Sequence, residues 1–503
     1  MAISKISSLA IASVAKVSSL AKASMAKINS LVNETADDPF TFTIVATGNT
    51  FTLPLISDGT IDMVVDWGDS SSDTITSYSQ EEKTHEYAGT GTYTIQITGT
   101  IRGWRFWWGG SCAQMRVISI WGAFDFTTYG AFAGCSGLTC TATDVPNISG
   151  TSLGYSFYGN TNFTGPTTGW DVSSVRDLNG CFTQCSSFNS AGVIGWDVGN
   201  NLGCSGTFMM TSFNRDISGW DMSKCQNMTQ MFHSTPFNQD INGWDVGEVR
   251  TMGATFQSNT AFNQDLNSWD TSKVTSMNDI FYSCTAFNGD ISDWDVSSVT
   301  NFQNAFYNCT IFNQDLSDWD LASCTRTIGM FQSAVAFNQD ISGWDMADVV
   351  YANSMFRTAT AFNADIGNWN VSNVTSMTGL FGFATAFNQS LNFDTSSVTN
   401  MNGMFRSATS FNQSLSFDTS SVTNMGFMFR NASSFNQGVT LSTSNYDALL
   451  IGWSGQNAVD GLAVHFGSST YTGGEEGAGG LARQDLIDVD EWTITDGGAA
   501  GGD

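Results

Sequence analysis

Residues 262–281 read Phe262-Asn263-Gln264-Asp265-Leu266-Asn267-Ser268-Trp269-Asp270-Thr271-Ser272-Lys273-Val274-Thr275-Ser276-Met277-Asn278-Asp279-Ile280-Phe281, and close variants of that stretch return along most of the chain. The dipeptide Phe-Asn begins at positions 188, 213, 237, 262, 287, 312, 337, 362, 387, 411 and 435, which sets a period of 24 or 25 residues. Trp follows in register at 196, 220, 244, 269, 294, 319, 344 and 369, replaced by Phe393 and Phe417. A second Phe recurs at 208, 232, 256, 281, 306, 331, 356, 381, 405 and 429. A period this regular dictates stacking, because so short a unit cannot cover its own aromatic residues and neighbouring units must do it.

Composition agrees with a folded, repetitive chain. Of 503 residues, 41% are hydrophobic, 13% aromatic and 13% charged, whereas disordered chains are poor in aromatic and rich in charged side chains. With 46 acidic against 18 basic residues, the net charge is −28. That excess opposes nucleic acid as a ligand, since non-specific affinity for it comes from Lys and Arg neutralising phosphates. No run of about 18 apolar residues offers a membrane span. Lys5, Lys16, Lys22 and Lys27 interrupt the first 32 residues, so no export signal is expected there, and the Gly/Ala-rich end after Thr495 carries no hydrophobic anchor.

Within the unit, the Ile and Trp of Asp-Ile-Ser-Gly-Trp-Asp-Val and the Val and Met of Val-Thr-Asn-Met suit short strands, with Gly, Ser and Asp in the turns between them. The segment running into the second Phe suits a single helical turn. These repeats resemble the BspA-like leucine-rich-repeat surface proteins over about residues 130–441. That resemblance implies a leucine-rich-repeat-like solenoid and a surface or adhesive role.

The flanks differ from the array. Phe40-Thr41-Phe42-Thr43-Ile44-Val45 and Tyr93-Thr94-Ile95-Gln96-Ile97 alternate as strands do. Val65-Asp66-Trp67-Gly68-Asp69, followed by Thr84 to Tyr93, resembles the PKD-like, immunoglobulin-like β-sandwich, with Ser70 where that family usually has Gly. After the array, Tyr446, Leu449, Leu450 and Trp453 fall at helical spacing, and Leu481 to Val489 with Trp492-Thr493-Ile494 reads as a helix and a strand. A cap over the last repeat is expected there. At the other end, Ser4-Lys5-Ile6-Ser7-Ser8-Leu9 recurs as Ala15-Lys16-Val17-Ser18-Ser19-Leu20 and Ala26-Lys27-Ile28-Asn29-Ser30-Leu31. An 11-residue period gives a nearly straight helix with one apolar stripe, although the Ser and β-branched content also allows β structure. This segment is similar to N-terminal repeats of bacteriophage virion proteins. The expected fold class is therefore mainly β. It comprises an N-terminal attachment arm (1–33), a linker (34–38), a PKD-like β-sandwich (39–101), a leucine-rich-repeat-like solenoid of 24–25-residue turns (102–441, degenerate before about 180), and a C-terminal cap with a Gly-rich tail (442–503).

Chemistry-bearing columns run through the array. Asp216, Asp240, Asp265, Asp290, Asp315, Asp340 and Asp365 form one, and Asp221, Asp245, Asp270, Asp295, Asp320 and Asp345 another. Oxygen ligands at such spacing could hold Ca²⁺, but each Asp can equally cap its own turn by accepting a backbone N–H. Capping is the expectation, because Asn370, Ser390 and Ser414 replace Asp without disturbing the period. No metal and no cofactor are expected. The ten Cys show no metal-ligand spacing and read as small core residues. Only His85, His233 and His465 are present, in different segments, and no nucleophile-base arrangement stands out, so an enzyme is not expected.

The residue after the second Phe varies while its neighbours hold constant: His233, Gln257, Tyr282, Tyr307, Gln332, Arg357, Gly382, Arg406 and Arg430. A surface ladder of these types suits recognition of a host-surface glycan or protein. The arm stripe Ile6, Leu9, Val17, Leu20, Ile28 and Leu31 is the expected contact with other virion proteins or with further copies of the chain. The resemblances together imply a structural, adhesive bacteriophage virion protein, whether fibre, spike or decoration protein, assembled in the host cytoplasm and exposed on the virion surface. A bacterial cell-surface adhesin is the alternative.

Overall fold

A computed structural model of the protein describes residues 38–435 apart from residue 58, and residues 437, 443–454, 463–465, 469–472, 477–488, 492–496 and 498–500. The arm residues Ile6, Leu9, Val17, Leu20, Ile28 and Leu31 lie outside the described residues. The described chain is mainly β and divides into two compact units. One runs to Leu202 and includes Met210–Asp221, and the other comprises Gly203–Met209 and Met222 onward.

The first unit is built on a sheet of six strands: β1 (Phe40–Ala46), β3 (Ile61–Asp66), β4 (Ser72–Ile75), β6 (Gly91–Ile101), β7 (Met115–Ile120) and β8 (Thr139–Cys140). They lie in the order β4-β3-β6-β1-β7-β8, while β2 (Thr50–Thr52) and β5 (Thr84–Glu86) pair separately. The alternation in β1 places Phe40, Phe42 and Ile44 in the core, and Phe42 sits opposite Ile95 of β6 and Ile118 of β7. The sheet thus continues past Ile101, the boundary drawn from the sequence, and takes its last two strands from the start of the array. Phe40 packs against Trp104, Trp121 and Phe124, so the sheet and the first repeats share one aromatic core. In the Val65-Asp66-Trp67-Gly68-Asp69 bend, Trp67 Nε1 donates to Asp73 at 2.8 Å and the Tyr87 hydroxyl donates to the Trp67 carbonyl at 3.1 Å. Ser70 has φ 78°, a left-handed conformation that explains why Gly suits that position.

In the second unit the repeats stack in register. Single parallel bridges link Asn227, Thr251, Ser276, Asn301, Arg326, Tyr351, Ser376, Asn400 and Asn424, one residue per repeat. The expected short strands are therefore reduced to isolated bridges. The segment before and after the second Phe is not a helical turn either. Met252, Ala254, Phe256 and Ser258 donate their N–H groups to the carbonyls of Ser276, Asn278, Ile280 and Tyr282 in the next repeat, at 2.6 to 3.2 Å. The intervening Thr255, Gln257 and Asn259 donate three residues back within the turn. Sending every second N–H to the neighbour forces two residues per repeat into the left-handed region, such as Ala254 (φ 55°) and Ser258 (φ 57°), and a helix is incompatible with that alternation.

Side chains reinforce the same register. Phe262, Phe287 and Phe312 stack in successive repeats at 5.9 and 5.7 Å, and the second-Phe column stacks at 5.4 to 5.9 Å from Phe256 to Phe381. Trp269, Trp294, Trp319, Trp344 and Trp369 are buried, and each Nε1 donates to a carbonyl of the preceding repeat at 2.9 to 3.3 Å. The Asn of Phe-Asn forms a ladder of its own, in which Asn263, Asn288, Asn313, Asn338 and Asn363 each accept the N–H of the next Asn in the column at 2.7 to 2.8 Å. Cys284 and Cys309 donate S–H groups to the Phe256 and Phe281 carbonyls, and all ten Cys are buried and in no disulfide.

The Asp columns cap their turns. Asp216, Asp240, Asp290, Asp315 and Asp340 accept the N–H two residues on at 2.9 to 3.0 Å. In the second column Asp270 and Asp295 accept both the N–H and the hydroxyl of Ser272 and Ser297. Asn370 does the same with Ser372 without a charge, which is why the substitution is tolerated. After the array, α1 (Thr443–Ser454) buries Tyr446, Leu449 and Leu450, and α2 (Ala478–Asp488) leads into β10 (Thr493–Thr495), as the sequence spacing predicts; β10 pairs in parallel with β9 (Ala463–His465), which precedes α2.

This packing can be probed by mutation and by pH. Phe306 stands between Phe281 and Phe331 at 5.7 and 5.4 Å, so Phe306→Ala should lose about 3 to 5 kcal/mol in chemical denaturation. Hydrogen bonds from Ser218, Ser272 and Ser396 hold the Asp216, Asp270 and Asp394 carboxyls below the ordinary range, and the Ser71 hydroxyl holds Asp69 at about 2. A carboxyl depressed in the folded state stabilises it above the unfolded value of about 4, and that contribution is lost as pH falls through the folded value. The melting temperature should hold above about pH 5 and drop between about pH 4 and 2. At pH 7, Asp270→Asn, which keeps the acceptor but not the charge, should lose less than Asp270→Ala, which should lose about 1 kcal/mol, and both should remove that site's share of the acid transition.

Candidate recognition face

The alternation that locks the repeats together also fixes which side chains face outward. The second Phe is buried, and the residue after it, whose N–H closes a turn within its own repeat, projects to the surface. In the second unit His233, Gln257, Tyr282, Tyr307, Gln332, Arg406 and Arg430 are half-buried there and Arg357 is exposed. The structure therefore places the predicted column on one continuous ladder of the stacked repeats.

Its members touch one another along the stack. Tyr282 and Tyr307 stack at 4.5 Å with rings 3° from parallel, and partial burial beside Tyr307 pushes the Tyr282 hydroxyl up. Burial lowers the His233 imidazole, against a side-chain hydrogen bond with Gln257. Burial, with the Arg430 and Arg357 charges, lowers the Arg406 guanidinium. Beside Gln257 lies a shallow depression of about 330 Å³, lined by Gln230, Gly253, Ala254, Asn278 and Asp279. A second depression, polar and open, lies among Asn338, Asp340, Ser342, Asn363 and Asp365 of the capping columns. Among the described residues no three His, Cys, Asp or Glu side chains converge as a metal site requires. The ladder offers aromatic faces, amides and cations, a set suited to binding by stacking and hydrogen bonding.

The first unit carries a second cluster that the periodicity did not reveal. Phe106 and Trp108 donate N–H groups to the Ala131 and Ala133 carbonyls at 3.1 and 3.0 Å, as the equivalent residues of the repeats do, while Trp107 between them also reaches across, to the Gly130 carbonyl at 3.4 Å. The loop is thus a partial turn laid against the first degenerate repeat, and Trp107 takes the place that the ladder residues take elsewhere. Trp107, Trp108, Tyr129 and Tyr155 are 47%, 53%, 44% and 39% exposed, which is unusual for four large aromatics in one place. Trp107 meets Tyr129 and Tyr155 edge-on at 5.2 and 5.6 Å, Trp108 meets Tyr158 at 5.2 Å, and the Arg105 guanidinium lies 4.9 Å from the Tyr129 ring. Both Trp residues have positive φ, 43° and 64°. Bare backbone makes room for them: a Cβ on Gly130 would lie 2.5 Å from the Trp107 ring, and one on Gly159 2.4 Å from the Trp108 ring. A legible signal was the adjacent Trp pair followed by Gly109 and Gly110, ahead of repeats with Gly134 and Gly159 where later repeats carry larger residues such as Gln184, Met210 and Ser234.

A family described as Mycoplasma protein of unknown function, DUF285, matches residues 151–268, 203–311, 252–366, 289–392 and 353–449 in overlapping pieces, each a few repeats long. No curated protein matches the chain. Together the family matches run from residue 151 to residue 449, more than half of the 503 residues, and the chain belongs to this DUF285 repeat family.

Proposed function

We propose that the protein is a structural, adhesive display protein whose stacked repeats form a leucine-rich-repeat-like solenoid of the BspA type and carry a recognition face for a host-surface glycan. The observation that carries the recognition reading is the Trp107–Trp108 turn, where two exposed indoles are held in left-handed backbone over glycine. Such strain is unfavourable by about 1 to 2 kcal/mol for each residue and persists where function needs the side chain. Aromatic faces of this kind take the C–H faces of sugar rings, and the Tyr hydroxyls and indole N–H groups beside them supply hydrogen bonds.

In this reading the PKD-like domain is the spacer, residues 1–33 are the attachment arm, and the protein belongs to a bacteriophage virion as a fibre, spike or decoration protein. Ten buried thiols, with Cys185, Cys225, Cys284, Cys309 and Cys324 donating S–H bonds to carbonyls, suit assembly in a reducing host cytoplasm. The resemblance of the repeats to BspA-like surface proteins favours a second reading, a bacterial cell-surface adhesin.

Mass spectrometry of purified virions and of bacterial envelope fractions separates the two. The first reading expects the chain in virions and expects Val17→Asp with Leu20→Asp to release it without changing its melting. Detection in envelopes alone would favour the adhesin. For recognition itself, Trp107→Ala with Trp108→Ala in the first unit, or Tyr282→Ala with Tyr307→Ala in the second, should weaken binding to a glycan array or to host cells by about tenfold or more. Unchanged binding in both double variants would move recognition off both clusters.

A further inference from the structure

Toward the end of the ladder, three arginines alternate with two phenylalanines. The Arg357 and Arg406 guanidinium groups lie 5.6 and 5.3 Å from the Phe383 ring, and Arg406 and Arg430 lie 5.8 and 5.6 Å from the Phe427 ring. Each phenylalanine therefore holds two cations in place. Phe383 (φ 63°) and Phe427 (φ 59°) occupy the left-handed positions of their repeats, where Ser333, Ser354, Gly403 and Asn431 stand in others. A bulky aromatic is a poor occupant of that conformation, so its presence at two neighbouring sites needs a reason. Gly382 fills the ladder position between Arg357 and Arg406. A Cβ there would lie 3.3 and 3.4 Å from the Gly379 and Gly403 carbonyl oxygens and in ordinary contact with Arg357 Cγ at 3.7 Å, so the Arg357 stem runs over that repeat on its way to Phe383.

The charge of this cluster runs against that of the molecule. The chain carries a net charge of −28, yet Arg357 and Arg406 make no ion pair with a carboxylate among the described residues. Arg357 and Arg406, brought together on the Phe383 ring with no acid paired to either, repel, and an oxyanion between them removes that repulsion while accepting their forked donors. Gln332, Tyr307 and Tyr282, on the ladder before Arg357, carry amides and phenols and no formal charge. The fitting ligand is thus acidic at one end and neutral, ring-shaped and rich in hydroxyls along the rest. A long polyanion such as nucleic acid fits poorly, because its phosphates would run beyond three cations onto an acidic protein.

We propose that Arg357, Arg406 and Arg430 form the subsite for the acidic sugar of an anionic glycan, carboxylated or sulfated, whose neutral sugars lie along Gln332, Tyr307 and Tyr282. This rests on the reading of the ladder as a glycan-recognition face. The phenylalanines hold the guanidinium forks in their binding arrangement before the ligand arrives, which lowers the entropy lost on binding.

The test is calorimetric titration of the full chain with a sialyl-terminated oligosaccharide, a heparin-type sulfated oligosaccharide, the matching neutral oligosaccharide and a DNA oligonucleotide. The acidic saccharides should bind about tenfold or more tighter than the neutral one, and the preferred acid identifies the source of the oxyanion. Arg357→Gln with Arg406→Gln should abolish that preference while leaving neutral binding, whereas Arg357→Lys with Arg406→Lys should retain part of it. Phe383→Ser, which installs the residue found at Ser333, should reduce the preference with the melting temperature within about 3 °C of the parent. Equal affinity for acidic and neutral saccharides, an unaffected arginine double variant, or tighter binding of DNA would overturn the subsite while the ladder reading stands on neutral binding. Loss of the ladder reading itself would show as saccharide binding that Tyr282→Ala with Tyr307→Ala leaves unchanged, or as no saccharide binding at all.

Discussion

Alternate backbone N–H groups in the turn segment leave their own repeat and bond to the next. Met252, Ala254, Phe256 and Ser258 do this toward Ser276, Asn278, Ile280 and Tyr282, and the residues between them close turns locally. No long strand or helix is needed, because the backbone polar groups of the segment are satisfied across the stack or within the turn. Stability then resides between repeats, and the aromatic columns, the Trp indole bonds and the Asn ladder all add to the same interface.

That arrangement imposes left-handed backbone twice per repeat and fixes an outward side chain between the two positions. Most repeats place Ser, Asn, Gly or Ala at the left-handed sites and keep the strain small. Where aromatics stand there instead, as at Trp108, Tyr155, Phe383 and Phe427, they form an exposed aromatic cluster in one unit and a cation-holding cluster in the other. The scaffold is uniform, and binding chemistry is written in the few positions that depart from it.

Much of this was legible in the sequence because period and side-chain type were informative. The spacing of Phe262, Phe287 and Phe312 showed that they must stack, and Asn370 in an Asp column showed that hydrogen-bond acceptance mattered more than charge. The helical-turn expectation failed because residues such as Met252 to Phe256 have apolar spacing that a helix and an alternating turn share. Periodicity does not show where an N–H is directed. The 39–101 boundary fell short of the sheet because β7 pairs with β1 from far along the chain, with Ile44 opposite Met115 and Phe42 opposite Ile118, and no local pattern announces that pairing. The Trp107–Trp108 cluster escaped because it stands ahead of the regular array, although Gly130 and Gly159 marked the space that it fills.

Amide hydrogen exchange resolved to single residues tests the central claim most directly. Residues 252–259, 277–284 and 302–309 have neither helical nor extended-strand geometry, and an ordinary surface loop of that kind exchanges quickly. Interlocked repeats predict slow exchange at Ala254, Phe256 and Ser258 and at their equivalents Asp279, Phe281 and Ser283, with protection lost cooperatively across neighbouring repeats as denaturant is added. Exchange of these amides at the rate of a free loop, while the β1 and β6 amides stay protected, would contradict the account.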